Sequence, residues 1–139
     1  MERADRILWE ISPMEISTEI IKEKNLRQHS IEGLINVPEL IDYLKQLHNA
    51  PDFDSGMKVL WDLRKADLSL VSTPDVRSIM ESVVKPWRKI ERNKAALVVS
   101  GALDYGLSRM FQIMMGGETT STITVFKDLG KAKEWLETV

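Results

Sequence analysis

Two histidines and no cysteine leave this chain of 139 residues few side chains able to do nucleophilic or metal chemistry. The missing cysteines exclude disulfides, thiolate nucleophiles and thiolate metal sites. His29 falls in a strand and is read as projecting from an exposed hairpin. His48 falls in the last turn of a helix, where a cation complements the helix dipole. Two histidines so separated have no metal-ligand spacing. Ser100–Gly101 is a fragment of a G-x-S-x-G elbow, and neither "GMKVLWDLRK" nor "MMGGETTS" contains a phosphate loop. No catalytic residue, metal or cofactor is expected, and the chain reads as a protein other than an enzyme.

Polar residues do gather where parallel strands should end, which is where open α/β sheets tend to hold ligands. Asp62, Arg64 and Asp67 lie at one such end, Ser100 and Asp104 at a second, Lys127 and Asp128 at a third. Helix N-termini beside them offer unpaired N–H groups to a small anionic or amphipathic ligand. A second candidate surface lies on the segment 102–115. Leu103, Leu107, Met110, Phe111 and Met114 share one helical stripe, whereas Tyr105, Arg109 and Gln112 lie on the other side. Tyr and Arg at i, i+4 can stack, and both are enriched at protein interfaces. Gly106 costs about 1 kcal/mol relative to Ala inside a helix, which points to a close approach by another backbone or a ligand.

The elements that must position these residues follow from periodicity. "RILWEI" (6–11) reads as a strand and 16–35 as a hairpin around "KEKN". In "NVPELIDYLKQLHN" (36–49), Asn36 caps a helix, Pro38 sits in its first turn, and Glu39 makes an Asn-x-x-Glu capping box. Val37, Leu40, Ile41, Leu44 and Leu47 form its stripe. "MKVLWDL" (57–63) and "AALVVS" (95–100) read as strands buried on both faces. Between them a helix starts at Ser72 or Thr73, with the stripe Val76, Ile79, Met80, Val83, Trp87, Ile90 and a kink at Pro86. "STITVF" (121–126) is the last strand, and Asp128 caps a final helix carrying Leu129, Ala132, Trp135 and Leu136. Trp87 and Trp135 are expected to be buried, and Lys85, Arg88, Lys89, Arg92 and Lys94 to be solvated.

This alternation gives an α/β fold: a mixed, mainly parallel sheet with helices on its faces and an N-terminal antiparallel hairpin. One domain, 1–139, accommodates it. With 19 Lys and Arg against 21 Asp and Glu the net charge is −2, so no nucleic-acid partner is expected. "AALVV", the longest apolar run, is too short to span a bilayer, and no secretion signal is visible, so the expected location is the cytoplasm.

Three stretches carry a family likeness: "APDFDSGMKVLWDLRKADLS", "AALVVSGALDYGLSRMFQ" and "TITVFKDLGKAKEWL". Together they resemble the SpoIIAA-like family of small bacterial proteins, a branch of the STAS-like fold. The signature pieces are PDF-x-x-G before a strand ending D-x-R, the Y-G-L-S-R-M-F helix, and V-F-x-D-L…A-x-x-W-L. The resemblance implies a relation to anti-sigma factor antagonists and, more distantly, to lipid-binding CRAL-TRIO domains. The antagonists carry an Asp-Ser-Ser-Gly type segment with a phosphorylated serine after the D-x-R strand, where this chain has "ADLSLVSTPD". A surviving phospho-switch would use Ser72, with Ser69 behind it. The expected function is a regulatory, protein-binding module that meets a partner protein or a second copy of itself as a homodimer. The alternative is a carrier or sensor of a small molecule or lipid. Asp62, Arg64, Tyr105, Arg109 and Gln112 are the contact candidates for either.

Overall fold

The computed structural model describes residues 13–51, 54, 56–84, 94–101, 106, 109 and 122–138. The expected strand at 6–11, Pro86, Trp87, Tyr105 and Gln112 lie outside them, as do Lys85, Arg88, Lys89 and Arg92. The described strands form one sheet whose spatial order is the chain order. β1 (Glu15–Ile21) and β2 (Leu26–Leu34) are the antiparallel hairpin. β3 (Lys58–Asp67), β4 (Lys94–Val98) and β5 (Thr122–Phe126) then add in parallel, one after another.

The hairpin turns through a single 3₁₀ turn at Lys22–Lys24, closed by Asn25 at φ 51°, a left-handed conformation that Asn tolerates. Helix α1 (Val37–His48) starts as its sequence requires: Asn36 accepts a hydrogen bond from the Glu39 N–H at 3.0 Å. Helix α2 (Thr73–Ile79) is capped by Ser72 rather than Thr73. Its capping box is complete, with Ser72 and Asp75 each accepting from the other's backbone N–H. It runs into a π-helical turn, Met80–Val84.

Each parallel step moves one place in the same direction, so right-handed crossovers carry α1 and α2 to one face. There Val37, Leu40, Ile41 and Ile79 pack on Ile31, Ile35, Ala66 and Leu68. Helix α3 (Leu129–Glu137) follows the last strand and covers the other face, packing Ala132 and Leu136 on Leu26, Leu60, Ala96 and Val98. Its N-cap is Asp128, which accepts from the Lys131 N–H. Its carboxyl end is held by lysines from the strands. Lys58 Nζ donates to the Leu136 carbonyl at 2.9 Å and Lys94 Nζ to that of Trp135 at 3.0 Å, where cations also complement the dipole.

β3 contains one residue more than β2 across their pairing: Ser30 faces Asp62, but Glu32 faces Lys65. This bulge resets which face the strand presents. Before it, Trp61 and Leu63 point to the α1–α2 side; after it, Ala66 and Leu68 do.

Trp135 differs from expectation. It is only partly buried, at the rim of the α3 core, with Phe126 5.6 Å away and the Lys94 ammonium 4.9 Å above its ring. Replacing it by Ala opens a notch to solvent rather than a sealed cavity. The expected loss is therefore about 2–4 kcal/mol, toward the low end for a large aromatic, read by urea titration. A loss below about 1 kcal/mol would show that α3 does not depend on this contact.

Candidate functional site

The bulge in β3 places Asp62 and Arg64 on the same side at the carboxyl edge of the sheet. They form a two-pronged pair: Arg64 Nε and Nη2 each donate to a different Asp62 oxygen at 2.9 Å. The Arg64 N–H adds a third bond to the same carboxylate. The Arg64 side-chain hydrogen bonds, the largest influence, hold the Asp62 carboxyl below its usual value. Ser100 Oγ donates to the Arg64 carbonyl at 3.1 Å, and the Asp128 charge also acts on Arg64. The structure thus gathers Asp62, Arg64, Ser100 and Asp128. The guanidinium fork, however, is already engaged by a carboxylate. Among the described strands no order reversal opens a crevice here either, because they follow one another in sequence.

Beyond β3 the chain makes a tight turn. Val71 N–H bonds the Leu68 carbonyl at 3.0 Å and Ser69 N–H the Asp67 carboxylate at 2.9 Å. Ser69 holds the Asp67 carboxyl below its usual value through its side chain and its backbone. This pinned turn presents Leu70 at 70% exposure, between Ser69 and the capping Ser72. A phosphate on Ser72 would displace the cap and face the Asp75 carboxylate, which is repulsive. Farther along, Gly106 and Arg109 are helical and exposed. A Cβ built on Gly106 meets nothing within 4 Å, so no close approach by a described residue explains this glycine.

His29 is the main correction. It does not project from an exposed hairpin: it is fully buried, on the face that α1 covers, with Arg27 beside it at 4% exposure. Arg27 Nε donates to His29 Nε2 at 3.1 Å, and His29 Nδ1 lies 2.9 Å from Thr18 Oγ1. Thr18 Oγ1 is in turn hydrogen-bonded to the Tyr43 hydroxyl on α1. Trp61, the register partner of His29 on β3, stacks on the imidazole at 4.1 Å, and Tyr43 meets it edge-on at 6.2 Å. His48 stays on α1 with its Nδ1–H donating to the Leu44 carbonyl at 2.9 Å, in keeping with its place at a helix end.

No family model and no curated protein matches the chain by sequence. Solved structures do match by shape. An uncharacterised protein of the DUF3478 family from Shewanella loihica, described as having a SpoIIAA-like fold, is 18% identical with a TM-score of 0.57. The match covers 90% of this chain and 96% of that one. The chain has a SpoIIAA-like fold. An anti-sigma factor antagonist from Mycobacterium paratuberculosis is similar at 16% identity and a TM-score of 0.47, over 89% of this chain and 96% of that one.

On this SpoIIAA-like scaffold the Thr18–His29 contact has the separation of a nucleophile and its base, but the hydrogen bonds run the wrong way. Nε2 accepts from Arg27, so the neutral ring carries its proton on Nδ1 and donates to Thr18 instead of taking its proton. Burial first, then the charges of Arg27 and His48, push His29 down to about 3. The pair cannot activate a hydroxyl. Among the described residues no group of three or more His, Cys, Asp or Glu is placed to hold a metal ion, and no helix is long and apolar enough to cross a membrane.

Two outcomes test this geometry. Asp62→Asn should change stability by less than about 1 kcal/mol at pH 7, because its partner Arg64 is 43% exposed and solvent screens the pair. A carboxyl with a lowered value stabilises the fold above its unfolded value and loses that contribution as pH falls below it. The difference between wild type and variant should therefore shrink below about pH 3.8. Gly106→Ala should stabilise the protein by about 0.4–1 kcal/mol in thermal melts, since its Cβ meets open space. Destabilisation would show that a neighbour occupies that space.

Proposed function

We propose that this chain is a non-catalytic, cytoplasmic regulatory module that acts by contact with a protein partner, through the Leu68–Ser72 turn at the carboxyl end of β3. The observation that carries this reading is Leu70. It is the more exposed of the two large exposed hydrophobic side chains among the described residues, the other being Ile20. A leucine held out on a turn pinned by Asp67, Leu68 and the Ser72–Asp75 box loses little conformational freedom when a partner covers it. The exposed Arg109 is a second contact candidate, and Tyr105 and Gln112 extend the same proposal. Ser72 and Ser69, beside Leu70, are the sites a modification of this surface would use.

The small-molecule or lipid reading has less behind it. Its natural anion donor, Arg64, already binds Asp62 with both prongs. The shallow cleft beside α3 lies at the other end of the strands, and its Lys24 and Lys58 are tied to Glu137 and the Leu136 carbonyl.

The test compares Leu70→Asp with Ile20→Asp, which places the same charge on the other exposed apolar residue. Tagged wild type and both variants are recovered from cells, co-purifying proteins are quantified by mass spectrometry, and sedimentation reports self-association. Leu70→Asp should lower one specific partner, or the dimer, at least tenfold at unchanged melting temperature, as for loss of a central contact residue. Equal losses in both variants, or in neither, would overturn the proposed surface. Arg109→Glu is expected to weaken the same association.

A further inference from the structure

We infer that the chain of hydrogen bonds Arg27–His29–Thr18–Tyr43 is an acid-released latch that holds helix α1 and the edge strand β1 together over the sheet. One imidazole links three elements. Its Nε2 accepts from Arg27 on β2, its Nδ1–H donates to Thr18 on β1, and Thr18 passes the connection to Tyr43 on α1. A second proton has one place to go, Nε2, and there it would confront the Arg27 N–H already pointing at that atom from 3.1 Å. Two donors cannot share that contact, and a fully buried ring has no water to receive the displaced group. The groups that the described residues place around the ring are Thr18 from β1, Arg27 from β2, Tyr43 and His48 from α1, and Trp61 from β3. The charges of Arg27 and His48 both oppose a second one on the ring. The Trp61 face attracts a cation but offers no acceptor for the proton.

Release is local because the two cores are separate. The α3 core takes Leu26 from the start of β2, with Ile21 of β1 packed against it, but most of its buried residues, Leu60, Ala96, Val98, Ala132 and Leu136, come from β3, β4 and α3. The latch ties down elements of the other face, where β1 is the edge of the sheet among the described strands. Opening the latch returns His29 from about 3 to its ordinary 6.5. A group lowered in the closed form disfavours opening fully above 6.5. It favours opening by up to tenfold per pH unit as pH falls from 6.5 toward 3.

Hydrogen exchange of the intact chain between pH 7.5 and 4.5, corrected for intrinsic rates, tests this. Amides of β1 and α1 should lose protection about 100-fold while those of α3 change less than threefold. His29→Gln, which cannot titrate, should abolish that difference. Parallel loss in α3, or no loss in β1 and α1, would overturn the latch. If His29→Gln does not fold, ring-nitrogen NMR of the wild type decides. A ring protonated on Nδ1 that does not titrate down to pH 4.5 in the folded protein supports the latch. The other tautomer, or titration near 6.5, defeats it. Tyr43→Phe should lower α1 protection at pH 7.5 while keeping the pH slope, and a variant indistinguishable from wild type would remove Tyr43 from the chain.

Discussion

Both faces of the central strands are covered, and this constraint governs the molecule. In β3, Val59 points toward α1 and α2, Leu60 toward α3, and both are buried. A strand in this position has no solvent side on which to leave a polar residue. β2 nevertheless puts Arg27 and His29 on the α1 face, alternating with Leu26 on the other. Each polar atom so enclosed must find a partner or cost roughly 1–3 kcal/mol. The solution is sequential: Arg27 fixes the tautomer of His29, which fixes the direction of the Thr18 bond, which reaches Tyr43 on α1. The seating of the helix on the sheet is thereby tied to the protonation of one ring.

The bulge solves the same problem by another route. Without the extra residue in β3, continued alternation would turn Ala66 and Leu68 toward the α3 side and present Lys65 and Asp67 to the α1–α2 core. With it, the apolar pair stays inside and both charged residues remain exposed. The same irregularity lies beside the D-x-R segment, bringing the Arg64 guanidinium and backbone N–H onto one carboxylate. Fold and candidate surface share a cause here, since the strand leaves the bulge directly into the pinned turn that displays Leu70.

What could be read from the sequence was local. The caps at Asn36 and Asp128, the stripe of α1, the hairpin and the parallel order of the later strands rest on short-range chemistry, and the structure contains them. The burial of His29 was not legible, because its strand alternates two half-polar sets, Leu26–Gln28–Ser30 and Arg27–His29–Ile31, and neither is plainly apolar. The available clue was nonlocal: Thr18 on the neighbouring strand and Trp61 in "VLWDL" supply a hydroxyl and a ring at the same register. For Trp135 the stripe correctly indicated the side it faces but not its depth, which depends on how far α3 extends over β5. The strand-end pocket rested on an analogy to folds whose strand order reverses, and sequence periodicity carries no information about spatial order.

Function in such a molecule is constrained by where its charges are already committed. Arg64 is engaged with Asp62, Lys58 and Lys94 hold the carboxyl end of α3, and Arg27 lies buried beside His29. Each of these cations is held by the fold's own acceptors, so its charge already serves the folded structure. Leu70 differs in kind. Its exposure is not required by any cap or turn, since the hydrogen bonds of the Leu68–Ser72 turn are made by backbone groups and by Asp67, Ser72 and Asp75. A polar residue would occupy that position at no structural cost, and an apolar one gains nothing there until another surface covers it.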